Sequence, residues 1–246
     1  YCPEWRMSKR AFTEGAEHTK STEQQSQNHA VIILASGLSQ RLGQPKQLLV
    51  KHGDPLITYM TRLTTTTNPK AIVVVIPDNH RLIASTITEL ANQYPTVQIV
   101  VNSQADTGMA HSLSLGVEAI VALESTSIDR VLIMGVDQVL LDEPHLTALL
   151  AGKQTVVASR YHSWQDLAKH QNRDQTVSDI IGLPLAVNYK LLRQWQSELI
   201  GDKGLRHLIR GLPADQIGEV DNDQLSYDID TPEQLAFAKQ QGWLDS

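Results

Sequence analysis

Residues 30–46 read AVIILASGLSQRLGQPK, and this stretch decides the fold class of the chain. Its first six residues are apolar and rich in β-branched side chains, which is typical of a strand buried on both faces of a sheet. Similar runs follow at 71–76, 97–101, 130–135 and 155–159. Because helix-like stretches separate most of these runs, the pattern predicts an α/β fold with right-handed crossovers and a mainly parallel sheet.

The helix-like stretches are recognised by apolar residues that recur every three or four positions. They predict helices at 56–65, 79–93, 110–123 and 143–150, and further helices at 188–197, 203–209 and 232–241. Residues 161–181 are polar and irregular, and no element is predicted there. Residues 1–29 lack periodicity and are rich in polar side chains, which predicts a flexible tail before one folded domain at 30–246.

The composition argues against several classes of function. The 246 residues carry a net charge of −6, whereas broad binding to nucleic acid or to an anionic membrane requires basic patches. The single cysteine, Cys2, excludes an intrachain disulfide and a CxxC motif. No run approaches the roughly 20 apolar residues of a membrane span, and the first residues do not resemble a signal peptide. We therefore expect a cytoplasmic enzyme that acts on neither nucleic acid nor a membrane.

The loop after the first predicted strand has the residue types that bind phosphate. It contains two glycines, two serines and the cations Arg41 and Lys46. Glycine lets backbone N–H groups approach an anion, and arginine and lysine neutralise phosphate oxygens. In an open parallel sheet, ligands bind at the carboxyl ends of the strands, where this loop begins. The spacing matches neither GxGxxG nor GxxxxGK[ST], so the residues alone leave a phosphate cradle and a surface turn equally open.

The same loop resembles the LAAGxSxRxGxxK signature of MobA-like nucleotidyltransferases. Residues 34–46 match it except at Ser36, where the family usually has alanine. The segments GMAHSLSLG at 108–116, GVDQ at 135–138, GDKGLR at 201–206 and DIDTPE at 228–233 are similar to those of one branch, the molybdenum cofactor cytidylyltransferases. Two departures from that branch are Val139, in place of a proline, and the lack of an arginine after Pro184.

The resemblance covers most of residues 30–241 and implies a three-layer αβα Rossmann-like nucleotidyltransferase fold. It implies catalytic roles for Arg41, Lys46 and Asp137. The expected nucleotide-binding residues are Leu34, Ala35, Ser36, Gly37, Arg41, Lys46, Asn102 and Ser112. Asn102 and Ser112 enter this set because they follow the strand predicted at 97–101, and a turn with a helix cap explains them equally well.

The resemblance also implies a magnesium ion bound by Asp137. This residue follows the strand at 130–135, so its carboxylate is expected beside the first loop. Mg²⁺ takes one or two carboxylates together with phosphate oxygens, and it offsets the repulsion between Asp137 and a triphosphate. We expect Asp230 as the second ligand and Asp228 as the alternative. A role for Asp230 in shaping the turn before the helix that begins at Pro232 stays open.

The implied reaction is the attack of an acceptor's terminal phosphate on the α-phosphorus of a nucleoside triphosphate, with release of pyrophosphate. The resemblance implies CTP as donor and the molybdenum cofactor, a molybdopterin, as acceptor, in the service of a molybdenum hydroxylase of the xanthine dehydrogenase type. One alternative keeps the chemistry and changes the acceptor to a sugar phosphate or an alcohol phosphate. Another is a noncatalytic carrier that delivers molybdenum cofactor to a partner enzyme.

Overall fold

The computed structural model describes residues 28–123, 127–162, 179–201 and 205–246. The strands are β1 His29–Leu34, β2 Val50–Lys51, β3 Asp54–Pro55, β4 Ala71–Pro77, β5 Val97–Asn102, β6 Arg130–Gly135, β7 Val156–His162, β8 Asp179–Asn188 and β9 Ile217–Asp221. The α-helices are α1 Leu56–Thr65, α2 Arg81–Gln93, α3 Met109–Val121, α4 Glu143–Ala151, α5 Tyr189–Trp195, α6 Arg206–Arg210 and α7 Pro232–Gln240.

Within these residues the main sheet has seven strands in the order β5-β4-β1-β6-β8-β7-β9. β5, β4, β1 and β6 are mutually parallel, β8 is antiparallel to its neighbours β6 and β7, and β7 is parallel to β9. The short strands β2 and β3 form a separate antiparallel pair. The four parallel strands therefore bring the loops at their carboxyl ends to one edge of the sheet.

Helices cover both faces of this sheet. α3, α5 and α6 contribute Leu113, Leu192 and Leu208 to the core on one face, and α1, α2 and α4 contribute Met60, Ile87 and Leu146 to the core on the other. The central strands β1, β4 and β6 are almost wholly buried, which explains why their sequences are apolar throughout. The three-layer αβα arrangement expected from the sequence is confirmed.

The structure differs from the prediction where strands are short or half-exposed. No element was predicted at 161–181, yet β7 continues to His162 and β8 begins at Asp179; the residues between them, 163–178, lie outside the described residues. β9 and the β2–β3 pair were also missed. β2, β3 and β9 are short and lie at least partly exposed, so they carry no clear hydrophobic pattern. β8 contains Gly182 and Pro184, which are uncommon inside strands.

The ends of the predicted domain and helices also shift by a few residues. β1 begins at His29, which is 5% exposed, one residue before the expected start of the domain. Residues 1–27 of the predicted tail lie outside the described residues, as do residues 203 and 204 of the helix predicted at 203–209, which is observed as α6 from Arg206. No helix in the described part of the chain has the length and apolar character needed to cross a membrane.

α3 lies unusually close to β1 because Gly116 faces the sheet. A Cβ atom at this position would lie 2.7 Å from Cγ2 of Ile32, a side chain that is fully buried. Because isoleucine is β-branched, rotation about its χ1 angle is restricted, and the side chain has little freedom to move away. Gly116 therefore sets the distance between the helix and the sheet edge where the first loop begins.

We expect Gly116→Ala to lower the free energy of unfolding by about 1 kcal/mol. Overpacking of a core costs about 1–3 kcal/mol, which exceeds the gain of about 1 kcal/mol from replacing glycine in a helix. Chemical denaturation measures the change, with Ser114→Ala on the same helix as the control for a substitution outside the core. An alanine variant more stable than the parent would contradict the close packing.

Candidate active site

A cavity of about 360 Å³ opens at the carboxyl edge of the parallel strands. The first loop lines it with Leu34, Ala35, Ser36, Gly37, Lys46 and Gln47. The start of α3 contributes Gly108, Met109 and Ser112, and the segment after β6 contributes Val136 and Asp137. Asp230 completes the lining from the segment before α7. All but two of the residues predicted from the sequence to bind the nucleotide or the metal thus line one cavity.

The other two predicted residues lie directly beside this cavity. Asn102 is fully buried behind Ser112, and its Nδ2 donates a hydrogen bond of 2.9 Å to the serine Oγ. Arg41 lines an adjoining depression together with Lys46 and Asp230. The arginine side chain is 74% exposed, so it stands at the rim.

Internal hydrogen bonds bring the first loop back to the sheet edge. The carbonyl oxygen of Ser39 accepts bonds of 3.1 Å from the N–H groups of Leu42 and Gly43. The Ser39 Oγ accepts a bond of 3.2 Å from the N–H of Lys46. Because the loop closes on itself in this way, Lys46 returns to within reach of the residues that follow β6.

Gln47 fixes the part of the loop that lines the cavity. Its side chain is 1% exposed, and its Nε2 donates to the carbonyl oxygens of Ala35 at 2.7 Å and Gly37 at 2.8 Å. In a trans peptide the C=O and the next N–H point in opposite directions, so the N–H groups of Ser36 and Leu38 are directed away from Gln47. Sequence reasoning missed Gln47, because nothing in its neighbours signals a bond to carbonyls ten and twelve residues earlier.

Lys46 joins two carboxylates that are far apart in the sequence. Its Nζ lies 2.8 Å from Oδ2 of Asp137 and 2.6 Å from Oδ1 of Asp230. Arg41 pairs with the second oxygen of Asp230 at 2.6 Å. The lysine side chain is only 12% exposed, which places this ion cluster inside the cavity mouth. The loop cations and the two predicted metal ligands therefore meet at one point.

The surroundings of the ion cluster shift the pKa values of Lys46, Asp230 and the neighbouring Asp228. Burial by itself lowers the pKa of Lys46, but the charges of Asp137 and Asp230 and their hydrogen bonds outweigh it and raise the pKa above its ordinary value. Burial likewise opposes ionisation of Asp230, but Lys46 and Arg41 hold its pKa below the usual range. Burial and the charges of Asp137 and Asp230 raise the pKa of Asp228 to about 6. Lys46 and Asp230 are consequently both charged at neutral pH.

A second cavity of about 400 Å³ adjoins the first and shares Leu34, Met109, Asp137 and Leu183 with it. Most of its wall is apolar, built by side chains of β6, β8, α3 and α6. The polar groups on the wall are Asp137, Gln138, Tyr161, Arg206 and Asp228. Among the described residues, Arg206 is the cation that lines this cavity. Asp137 therefore stands between two cavities with different walls.

A family model, described as the MobA-like NTP transferase domain, matches residues 31–219. The chain belongs to this family. Its residues form a nucleotidyltransferase domain, as the resemblance of the first loop implied. No curated protein matches the chain in sequence.

Several solved structures share the fold of this nucleotidyltransferase. A nucleotidyl transferase from Methanothermobacter has a TM-score of 0.61 at 20% identity, over 87% of this chain and 97% of its own. The 4-diphosphocytidyl-2C-methyl-D-erythritol synthase from Anaerococcus prevotii has a TM-score of 0.60 at 17% identity, over 88% and 96%. The inositol-1-phosphate CTP transferase from T. maritima has a TM-score of 0.59 at 15% identity, over 89% and 95%. At these identities the likeness is one of fold.

The donor set at the ion cluster suits Mg²⁺. Two carboxylates, Asp137 and Asp230, converge on a single cationic group, the Lys46 ammonium. The described residues contain no group of three or more His, Cys, Asp or Glu side chains able to hold a metal by themselves. Mg²⁺ does not need such a group, because it keeps several waters and takes substrate phosphate oxygens as ligands. The residues present therefore fit a magnesium ion that arrives with a nucleotide.

Val139, one of the two departures from the resembled branch noted in the sequence, helps to fix Asp137. Its N–H donates to the carbonyl oxygen of Asp137 at 3.1 Å, a bond that proline cannot form. The same oxygen accepts a bond of 3.2 Å from the N–H of Ile229, and the Lys51 ammonium donates to the carbonyl oxygen of Val139. The departure from the branch thus leaves the loop that carries Asp137 held from two sides.

We expect Gln47→Met to weaken both the fold and the binding of nucleoside triphosphates. The substitution keeps the volume but leaves the carbonyl oxygens of Ala35 and Gly37 without their donor, which costs about 1–3 kcal/mol. Denaturation measures the stability, and titration with each triphosphate measures affinity. Gln93→Met, at the exposed end of α2 and away from the cavity, is the control. Unchanged affinity in Gln47→Met would contradict a role for Gln47 in shaping the loop.

Proposed function

We propose that this nucleotidyltransferase transfers CMP from CTP to the terminal phosphate of the molybdenum cofactor and releases pyrophosphate. The observation that carries the proposal is the ion cluster, in which Lys46 and Arg41 of a glycine-containing loop meet Asp137 and Asp230 at the mouth of a cavity. Cations and paired carboxylates at the carboxyl edge of a parallel sheet suit a substrate that brings both phosphate and a divalent ion.

In this reaction the protein's main tasks are to position the two substrates and to stabilise the charge that develops on the phosphates. An oxygen of the acceptor phosphate forms the new bond to the α-phosphorus, and the bond from that phosphorus to the bridging oxygen breaks. Pyrophosphate leaves with the electron pair. Because the acceptor phosphate is already ionised, no side chain has to remove a proton. Lys46 and Arg41 bind the phosphate oxygens and stabilise the charge that develops on them.

In this proposal Asp137 and Asp230 would bind a magnesium ion. When bound, Mg²⁺ would offset the negative charge shared by these carboxylates and the triphosphate. The chain's own part is to hold the two carboxylates at one point, with the Val139 and Ile229 N–H groups bonded to the backbone of Asp137.

The wall of the second cavity supports an acceptor with a flat, partly apolar body. Leu113, Ile133, Leu185 and Ile209 line it, and a polyhydroxylated sugar would leave its hydroxyl groups against these side chains without partners. A molybdopterin offers a fused ring system to the apolar wall and a terminal phosphate to the polar side near Asp137.

In this proposal Arg206, which belongs to the GDKGLR segment at 201–206, is the cation that binds the acceptor phosphate, since the chain lacks an arginine after Pro184. It begins α6 and lines both the second cavity and the depression on the far side of Asp228. Tyr161 lies in the same two linings, where burial and the charges of Asp228 and Asp137 raise the pKa of its hydroxyl to about 12. The tyrosine therefore keeps its proton at neutral pH and can donate it in a hydrogen bond to a phosphate.

A second candidate keeps the chemistry and replaces the acceptor by a sugar phosphate or an alcohol phosphate. It is favoured by the fold shared with the inositol-1-phosphate CTP transferase and the diphosphocytidyl-methylerythritol synthase. A noncatalytic carrier is disfavoured, because a protein that only stores cofactor has no need of the ion cluster.

Measurement of pyrophosphate release distinguishes the three candidate functions. We expect the full chain, incubated with Mg²⁺ and CTP, to release pyrophosphate when molybdenum cofactor is added and not when inositol phosphate or methylerythritol phosphate is added. Release with a sugar or alcohol phosphate alone would favour the second candidate. Tight cofactor binding without pyrophosphate from any of the four triphosphates would favour the carrier.

We expect Asp137→Ala to lower turnover at least about a hundredfold, comparable to the loss of one strong transition-state contact. The fold should be retained, since the backbone bonds of residue 137 do not depend on its side chain. Asp215→Ala, an exposed aspartate in a 3-10 turn, is the matched control. Turnover near the parent value with the same magnesium dependence would remove Asp137 from the mechanism.

We expect Arg206→Ala to raise the KM for the acceptor at least about tenfold and to leave the KM for CTP unchanged, because a charge-assisted bond to phosphate contributes about 1.5–3 kcal/mol. Arg210→Ala on the same helix is the control, since Arg210 does not line the second cavity. Equal increases in both KM values would place Arg206 outside acceptor binding.

A further inference from the structure

The β2–β3 hairpin carries a buried ammonium group that the proposed function does not use. Lys51 lines neither cavity and is 7% exposed. Its Nζ donates a hydrogen bond to the carbonyl oxygen of Val139 and lies 4.8 Å from the centre of the Tyr59 ring. Within the described part of the chain it forms no ion pair, and burial lowers the pKa of the ammonium below its ordinary value.

The carbonyl group that Lys51 contacts belongs to the loop that carries Asp137. An apolar side chain of similar length would fill the same space without the cost of burying a charge. The ammonium gives what such a side chain cannot, a charge-assisted bond to the carbonyl oxygen of Val139. The N–H of Val139 donates in turn to the carbonyl oxygen of Asp137 at 3.1 Å. Lys51 therefore fixes one end of a short turn whose other end is Asp137.

Apolar side chains connect this turn with the other segments of the active site. One core cluster, separate from the two that cover the faces of the main sheet, contains Leu42 of the first loop, Val139 and Ile229. Leu244, from the segment after α7, packs in the same cluster and is 3% exposed. The segment after α7 thus lies against the residues that neighbour the ion cluster in the sequence.

The next residue of that segment, Asp245, fixes the turn beside Lys51. Its two carboxylate oxygens accept bonds from the N–H groups of His52 at 3.1 Å and Gly53 at 2.8 Å, and its own N–H donates to the carbonyl oxygen of Val50 at 2.8 Å. His52 and Gly53 have φ angles of 53° and 82°. A left-handed backbone is unfavourable for histidine, so the bonds to the carboxylate stabilise this turn. They hold the backbone on both sides of Lys51.

We propose that Lys51 is a positioning residue for Asp137, and that Asp245 acts on the same carboxylate through Lys51. The segment after α7 is then part of the active site, although Asp245 lines neither cavity. The segment also lies beyond residue 219, where the match to the family model ends. The inference rests on the proposed function, since it takes Asp137 as the carboxylate that binds the metal.

Two measurements on the full chain separate positioning from a general loss of stability. The first is the release of pyrophosphate from CTP and the acceptor at increasing concentrations of Mg²⁺. The second is amide hydrogen exchange of the protein alone, read residue by residue, which requires neither substrate nor metal. The variants are Lys51→Met, Asp245→Ala and the double substitution. Lys190→Met and Asp215→Ala, which replace exposed side chains of the same types, are the matched controls.

We expect Lys51→Met to lower kcat about ten- to a hundredfold, the range for losing a group that orients a metal ligand, and to raise the Mg²⁺ concentration needed for half-maximal turnover. The N–H groups of Val139 and Ile229, which both bond to Asp137, should exchange at least about tenfold faster, while those of β1 and β4 exchange as in the parent. Asp245→Ala should act in the same direction. The double variant should lose no more than Lys51→Met, because the two side chains act in series.

A Lys51→Met variant with the turnover and magnesium requirement of Lys190→Met would overturn the inference. So would faster exchange spread evenly over the sheet, since that would show a loss of stability alone. Losses for Lys51→Met and Asp245→Ala that add in full would remove Asp245 from a path through Lys51. A parent that releases no pyrophosphate would contradict the proposed function, and hydrogen exchange of Val139 and Ile229 would still decide whether Lys51 positions the turn.

Discussion

The site depends on the Lys46 ammonium, which lies between the carboxylates of Asp137 and Asp230. Two carboxylates at such a short separation repel each other, by about 4 kcal/mol at 4 Å and an effective dielectric near 20. The lysine offsets this repulsion, and in doing so it ties together the first loop, the segment after β6 and the segment before α7. With Arg41 it faces three carboxylates, including Asp228, so the cluster has no positive charge to spare. This charge balance is the electrostatic reason for the proposal that a triphosphate binds together with Mg²⁺.

The fold supplies the rigidity that this cluster needs. Parallel strands end at one edge, Gly116 lets α3 pack directly on β1, and Gln47 holds two carbonyl oxygens of the loop. The Oε1 atom of Gln47 is itself buried without a partner among the described residues. A buried unpaired acceptor is uncommon in folded proteins, and here it belongs to the side chain that bonds two carbonyl oxygens of the cavity wall.

Sequence reasoning succeeded where burial leaves a strong pattern. β1, β4, β5 and β6 are largely apolar runs, each ending in or followed within two residues by a polar side chain, so both the parallel part of the sheet and the placement of Asp137 beside the first loop followed from the sequence. It failed for β9, whose IGEVD sequence is half-exposed, and for Gln47, whose role depends on where two distant carbonyl oxygens point. The residue types of the first loop, and then the resemblance, led to the prediction that Lys46 binds phosphate. The Lys46 ammonium also holds Asp137 and Asp230 together. This contact depends on the tertiary structure, and no pattern in the neighbouring sequence predicts it.

Different parts of the chain build the two cavities. The first is built from the loop, α3 and the segment after β6, which carry the motifs that the chain shares with its family. The second is built largely from side chains of β8, α3 and α6. The chain lacks an arginine after Pro184 on β8 but has Arg206 on α6, which lines this cavity. Under the proposed function, Arg206 would therefore bind the acceptor phosphate from the helix. The attacking phosphate would have to reach only the boundary that the two cavities share at Asp137, so the acceptor site could change without a change in the ion cluster.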